Sequence, residues 1–228
     1  MTDLPTIAIV MVTYKRTREA LITVKSVCEN LVYPREKRGW IISDDGSPAE
    51  HMDAIFHELM DVQQEVLWTH HSEKWFPGTY NCGRGWNWAL STAHQYSDII
   101  LWLEDDWQLT RPFDITPFVQ LLLERKDIGL VRLGHLAVGN NVEIVGYGGI
   151  HYLKYLRTSH YAYSGNPLLR HIRFMNTYGM FAEERNPGEI ELDYDARFAA
   201  QEGPDIWRPA DIPGWGVFGH IGTEKTFK

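Results

Sequence analysis

At 228 residues the chain is long enough for one substantial core, and 44% hydrophobic with 23% charged residues is ordinary for a globular protein. A net charge of −8 without any lysine or arginine run argues against a nonspecific nucleic-acid groove. Two distant cysteines, Cys28 and Cys82, argue against a disulfide framework or a thiolate zinc site and fit a reducing compartment.

Met1 to Pro5 is short and polar, and no apolar run approaches the length of a bilayer span, so the sequence reads as cytoplasmic. Ile7 to Val12 is an unbroken apolar run, the mark of a strand buried on both faces. Thr17 is placed to cap a helix carrying Leu21, Val24, Cys28 and Leu31 on one stripe, with Pro34 ending it. Trp40 to Ser43 reads as a second strand. Ser47-Pro48-Ala49-Glu50 has the spacing of a capping box, and Met52, Ile55, Phe56 and Leu59 follow at helical intervals. A third strand over Val66 to Thr69, a helix around Gly85 to His94 and a buried strand over Ile99 to Leu103 complete an alternating βαβα order. That order predicts an α/β fold with a mostly parallel sheet flanked by helices, and ligands beyond the carboxyl ends of its strands.

After Leu133 the pattern changes to a smaller antiparallel portion. Glycines flank short alternating runs such as Ile150 to Leu156, helical stretches are expected near Pro167 to Phe174 and Glu189 to Gln201, and the tail from Pro209 reads as a loop. The whole is read as a single domain, with a nucleotide-binding half over 1–110 and an acceptor half over 111–228.

Three strand ends carry the candidate chemistry. Glu104-Asp105-Asp106 follows the Ile99–Leu103 strand, and carboxylates clustered there repel one another unless a cation joins them. Hard oxygen donors suit Mg or Mn, which in turn hold a diphosphate. Asp44-Asp45-Gly46-Ser47 ends another strand; an aspartate there can accept from a base N–H or a ribose hydroxyl, though a plain turn would use the same residues. Thr13-Tyr14-Lys15-Arg16 supplies a ring for stacking and cations for phosphate.

Taken in order, these pieces resemble family-2-type nucleotide-sugar glycosyltransferases of the GT-A fold. Ile9 to Arg16 resembles the opening strand and nucleotide loop, and Ile41 to Ser47 the Asp-Asp-Gly-Ser element. Asn81-Cys82-Gly83-Arg84-Gly85-Trp86-Asn87 resembles the segment that approaches the donor, and Glu104-x-Asp106 stands where the family has Asp-x-Asp. Ser164-Gly165-Asn166-Pro167 resembles the acceptor-side turn, and Glu191-Leu192-Asp193-Tyr194-Asp195-Ala196-Arg197 the acidic helix start. The resemblance implies an inverting, metal-dependent hexosyl transfer from a nucleoside-diphosphate sugar, with UDP favoured, to a hydroxyl of a glycan or other acceptor. It implies that Thr13, Tyr14, Arg16, Asp44, Asp45, Asn81, Gly83, Arg84, Asn87, Glu104 and Asp105 face the donor. Asp106 and His220 would hold Mn or Mg, and the base would be Glu191 or Asp193, with Asp195 also open. A silent nucleotide- or glycan-binding module and a sugar nucleotidyltransferase are the alternatives, the latter weakened because Thr13 to Thr17 contains no glycine.

Overall fold

The computed structural model describes residues 4–62, 64, 66–71 (backbone only), 82–134, 141–210 and 217–222. In chain order the elements are β1 (Ile7–Thr13), α1 (Thr17–Asn30), β2 (Leu31–Val32), β3 (Arg38–Asp44), α2 (Ala49–Asp61), β4 (Val66–His71) and α3 (Cys82–Tyr96). They continue with β5 (Ile99–Glu104), β6 (Trp107–Leu109), β7 (Phe113–Asp114), α4 (Thr116–Glu124), β8 (Ile128–Arg132), β9 (Val142–Tyr147) and β10 (Ile150–Tyr155). The last are β11 (Leu168–His171), α5 (Ile172–Tyr178), α6 (Pro187–Ala200), β12 (Asp205–Pro209) and β13 (Phe218–His220).

One nine-stranded sheet runs through both halves in the order β4-β3-β1-β5-β11-β8-β12-β10-β9. β3 pairs in parallel with β1 and β4, β1 with β5, and β8 with β12, while β11 and β10 pair antiparallel with their neighbours. Following those pairings, every strand except β11 and β10 runs in one direction. The carboxyl ends of β1, β3, β5, β8 and β12 therefore share one rim. The expected α/β architecture with a mostly parallel sheet and a smaller antiparallel part is what forms.

Alternation along β1 shows why both faces are covered. Ile7, Ile9 and Met11 pack with Val24, Val27, Ile55 and Leu59 of α1 and α2, and with Val119 and Leu122 of α4. Ala8, Val10 and Val12 pack on the other face with Trp86, Ala89 and Leu90 of α3 and with Ile190, Tyr194 and Phe198 of α6. An apolar side chain at every position from Ile7 to Val12 is what two helical layers require.

Several local expectations are corrected. Thr17 is the first helical residue rather than the cap, and its Oγ1 lies 2.8 Å from His51 Nδ1. The helix stops at Asn30, well before Pro34, because Leu31 turns extended and joins β2 to β7. Ser47 does not cap α2: its hydroxyl is held by Asp44 and accepts from Lys15 N–H at 2.7 Å. Leu168 to His171 is a strand, inserted between β5 and β8, and only Ile172 onward is helical. Four fully buried residues carry no periodicity that separates strand from helix. The tail is not all loop, since β13 pairs antiparallel with β6 and sets His220 opposite Trp107.

Candidate active site

A cavity of about 450 Å³ opens at the shared rim, lined by Thr13, Tyr14 and Arg16 after β1, Asp45 after β3, and Glu104, Asp105 and Asp106 after β5. Cys82 and Trp86 of α3 and Asn186, Pro187 and Gly188 at the start of α6 close its other wall.

The end of β1 is tied to the acidic triplet. Thr13 Oγ1 donates to Asp105 Oδ2 at 2.8 Å, and Tyr14 N–H donates to the same oxygen at 3.0 Å. His51 Nε2 lies 2.8 Å from Thr13 Oγ1. With the threonine proton directed at Asp105, the imidazole is assigned its proton on Nε2, leaving Nδ1 to accept from Thr17. Thr23 Oγ1 donates to the Asp105 carbonyl at 2.8 Å, so α1 also grips the turn. Burial, then the neighbouring Asp106, raises the Asp105 carboxyl to about 7 against the lowering effect of the Tyr14 and Thr13 bonds.

Asp44 and Asp45 divide their labour. Asp44 is fully buried and accepts from Gly46 N–H at 3.1 Å, Ser47 N–H at 2.8 Å and the Ser47 hydroxyl at 2.5 Å. It locks the turn, where Gly46 has φ +92°, and does not line the cavity. Asp45 does line it, and its Oδ1 is buried without a hydrogen-bond partner. A Cβ added at Gly85 would lie 2.5 Å from that oxygen, so glycine there is what admits the carboxylate. Burial, then Asp44 and Asp105, pushes the Asp45 carboxyl up to about 8.

Glu104 is raised well above the usual carboxylate range by burial, then by Asp106, Glu191 and Asp105. Asp106 is 3% exposed, and its Oδ2 is held by Arg16 Nη1 and lies 3.2 Å from His220 Nε2. The imidazole of His220 meets the Trp107 ring edge-on at 5.1 Å, and Ile221 N–H donates to the Asp106 carbonyl at 2.9 Å. Gly222 passes so close to the Asp106 carboxylate that a Cβ would collide with it. Asp106 Oδ1, by contrast, is buried with no hydrogen-bond partner. A buried polar atom left unbonded costs about 1–3 kcal/mol, and the rim holds one on Asp45 and one on Asp106.

The α3 candidates lie elsewhere. Asn87 accepts from Phe181 N–H at 2.8 Å and donates to the Phe181 carbonyl at 3.0 Å, fastening α3 to the segment before α6. Gly83 packs against the Ala182 carbonyl, and Arg84 sits 3.5 Å from Glu183 on the surface. None of the three lines the cavity, whereas their neighbours Cys82 and Trp86 do. Asn81 and the side chains of His70 and His71 fall outside the described residues.

The acids of α6 are separated by their helical positions. Glu191 Oε1 accepts from Gly165 N–H and from Ser164 Oγ at 3.2 Å. A Cβ at Gly165 would lie 2.9 Å from Glu104 Oε1 and 3.1 Å from Glu191 Oε1, so the two carboxylates face each other across that glycine. Asp193 turns to Arg197 and to Arg185 at 3.6 Å, away from the cavity. Asp195 accepts from the N–H groups of Tyr161 at 2.9 Å and Tyr163 at 3.3 Å. The start of α6, missed as a cavity wall, did leave a signal: Asn186 and Glu189 have capping-box spacing and form that box. Among the described residues no three His, Cys, Asp or Glu side chains converge as a complete cation site.

No family model matches the sequence, and no curated protein matches it. Solved structures do match the fold. The mannosyltransferase PcManGT from Pyrobaculum calidifontis, in complex with GDP-Man and Mn2+, superposes with a TM-score of 0.59 at 16% identity, over 92% of this chain and 56% of its own. The 1–349 fragment of S. aureus TarS with UDP-GlcNAc gives 0.67 at 14% identity, over 96% and 59%. GalNAc-T7 with UDP, GalNAc and Mn2+ gives 0.64 at 13% identity, over 97% and 45%. The chain thus has the GT-A-like fold of nucleotide-sugar glycosyltransferases and spans between 45% and 59% of these proteins' lengths. No helix among the described residues is long and apolar enough to cross a membrane.

Proposed function

We propose that the chain is an inverting glycosyltransferase, moving a sugar from a nucleoside-diphosphate donor to an acceptor hydroxyl with a divalent cation bound. The carrying observation is the pair of buried, unbonded carboxylate oxygens, Asp45 Oδ1 and Asp106 Oδ1, at the mouth of one cavity. An unbonded oxygen on Asp45 fits a base N–H or ribose hydroxyl, and one on Asp106 fits a cation. Asp106 and His220 supply two donors, so diphosphate oxygens and water would complete a hard cation's shell. The imidazole tilts the choice toward Mn, the ion bound to two of the fold's relatives above. When bound, that cation would stabilise charge developing on the departing diphosphate. UDP is the favoured nucleotide, as in the TarS and GalNAc-T7 complexes.

Within this reading Tyr14 and Arg16 flank the nucleotide, and the loop after β1 is held to the rim by Asp105. Glu191 takes the proton of the acceptor hydroxyl as its oxygen bonds the anomeric carbon and the bond to the diphosphate breaks. Gly165 and Ser164 orient that carboxylate through their hydrogen bonds. Residues 1–110 form the donor half and 111–228 the acceptor half of one domain.

The test is calorimetric titration of UDP, GDP and their sugars with and without Mn, followed by transfer of labelled sugar to a glycan panel. Mn-dependent nucleotide binding is expected first, and transfer with inverted anomeric configuration by NMR second. Nucleotide binding that ignores both Mn and Asp106 substitution would overturn the assignment.

A further inference from the structure

We propose that the acceptor carries an anionic group, a phosphate, sulfate or carboxylate, and that Arg208 with Arg132 binds it; the proposal rests on the transfer reading above. Arg208, in β12, is 5% exposed, and its Nε and Nη2 are buried without a hydrogen-bond partner. Among the described residues it forms no ion pair. Trp207 pairs with Val131 across parallel strands, which sets Arg208 level with Arg132 on β8, one strand spacing away. Leu130 and Ile206, two residues earlier on the same strands, belong to the core face covered by α6. Both arginines therefore project to the side of the sheet where Glu191 lies.

Arg132 is fully buried, donates from Nη1 to the Tyr161 carbonyl at 2.6 Å and the Ala162 carbonyl at 3.2 Å, and lies 5.2 Å from the Tyr155 ring centroid. Among the described residues, three nearby acids are engaged with other groups. Glu191 is bonded by Gly165 and Ser164, Asp195 by Tyr161 and Tyr163, and Asp205 by Lys154 at 2.9 Å and Arg157 at 3.3 Å. Glu191, Asp195 and Arg208 all lie near enough to Arg132 to act on its charge. Buried guanidinium nitrogens without an acceptor, as Nε and Nη2 of Arg208 are, are costly for a core to hold, and the positive charge of Arg132 beside them adds repulsion. The guanidinium fork matches phosphate, sulfate and carboxylate, any of which would supply the acceptors that Nε and Nη2 of Arg208 lack. From β5 to β12 is three strand spacings, roughly 14 Å, so the anion belongs to a part of the acceptor remote from the reacting hydroxyl.

The full chain is titrated calorimetrically, in metal-free buffer so that nothing turns over, with a phosphorylated, a sulfated and a uronic-acid oligosaccharide and the neutral counterpart of each. The wild type should bind at least one charged probe about tenfold more tightly than its counterpart, with the preference shrinking as salt rises. Whichever probe shows it identifies the anion. Arg208→Gln should erase the preference and Arg208→Lys keep part of it, while Arg208→Met should raise the melting temperature of the free protein. Equal binding of charged and neutral probes by the wild type, an undiminished preference in Arg208→Gln, or a lower melting temperature in Arg208→Met would each overturn the site. UDP with Mn, titrated into the wild type in the same series, separates the two readings. Failure there sinks the donor assignment, and an intact anion preference beside it would stand as a binding property of β8 and β12.

Discussion

The two sides of the site, the strand rim and helix α6, hold their acids on opposite terms, although α6 lines the cavity itself only with Pro187 and Gly188. On α6 each carboxylate is matched: Glu189 by Asn186 N–H, Asp193 by Arg197 and Arg185, Asp195 by two backbone N–H groups, Glu191 by Gly165 and Ser164. On the rim of β1, β3 and β5, Asp45 and Asp106 each keep a buried oxygen with no partner, and burial raises Asp45, Glu104 and Asp105. Matched acids hold a fold together, whereas mismatched ones are tolerated where a ligand completes them. Under the proposed transfer reading, the contrast assigns the donor to the rim and leaves to α6 the single carboxylate that faces Glu104 across Gly165.

The largest effect should come from the mismatched wall. Asp106→Asn removes the charge next to the unbonded oxygen and should abolish Mn-dependent UDP binding in calorimetry while leaving the circular dichroism spectrum unchanged. Next is the one α6 acid facing the rim. Glu191→Gln should cut transfer by roughly a hundredfold or more and leave UDP binding intact, since a general base contributes about that much. Wild-type turnover in Glu191→Gln would show that the matched wall carries no chemistry.

Gly165→Ala sharpens the same boundary. Its Cβ would press on Glu104 and Glu191 together, so transfer should fall by about tenfold or more while Asp195 and Asp193 remain in place. Single-turnover rates with saturating donor would register the loss.

The rim was legible in the sequence because an apolar strand running into Glu104-Asp105-Asp106, and another into Asp44-Asp45-Gly46, says where a parallel sheet opens. Which of two adjacent acids faces the ligand was not legible. Asp44 and Asp45 are alike as residues, and only the Ser47 hydroxyl and the Gly46 turn decide that Asp44 is the lock. The α3 segment failed for a related reason: Asn87 is bound by Phe181, almost a hundred positions away, and no local pattern announces it. His220 was visible only as a histidine among glycines, and its place beside Asp106 depends on β13 pairing with β6. Buried strands β8 and β11 were hidden by shortness and by buried Arg132, Arg170 and His171, since four or five residues show no period.

A smaller effect separates the walls by pH. Asp45 titrates near 8 in the folded chain against about 4 when unfolded, so the folded state holds the extra proton between those values. Stability from this group is therefore greatest at acid pH and declines as pH rises from about 4 to 8. In metal-free buffer Asp45→Asn should melt higher than wild type at pH 8 and draw level near pH 4. A constant difference across that range would mean Asp45 is matched after all.

The smallest effect belongs to the matched wall. Asp193 is partly exposed and bonded across one helical turn to Arg197, so its ion pair is worth about 0.5 kcal/mol and is screened by salt. Asp193→Asn should lower stability by that order in urea melts, less at high ionic strength, and leave turnover within twofold of wild type. Arg197 also donates to the Tyr178 and Met180 carbonyls, so it stays anchored when its acid is removed. That is the behaviour of a carboxylate kept for the helix, and a loss of transfer comparable to that of Glu191→Gln would place the base two residues further along α6.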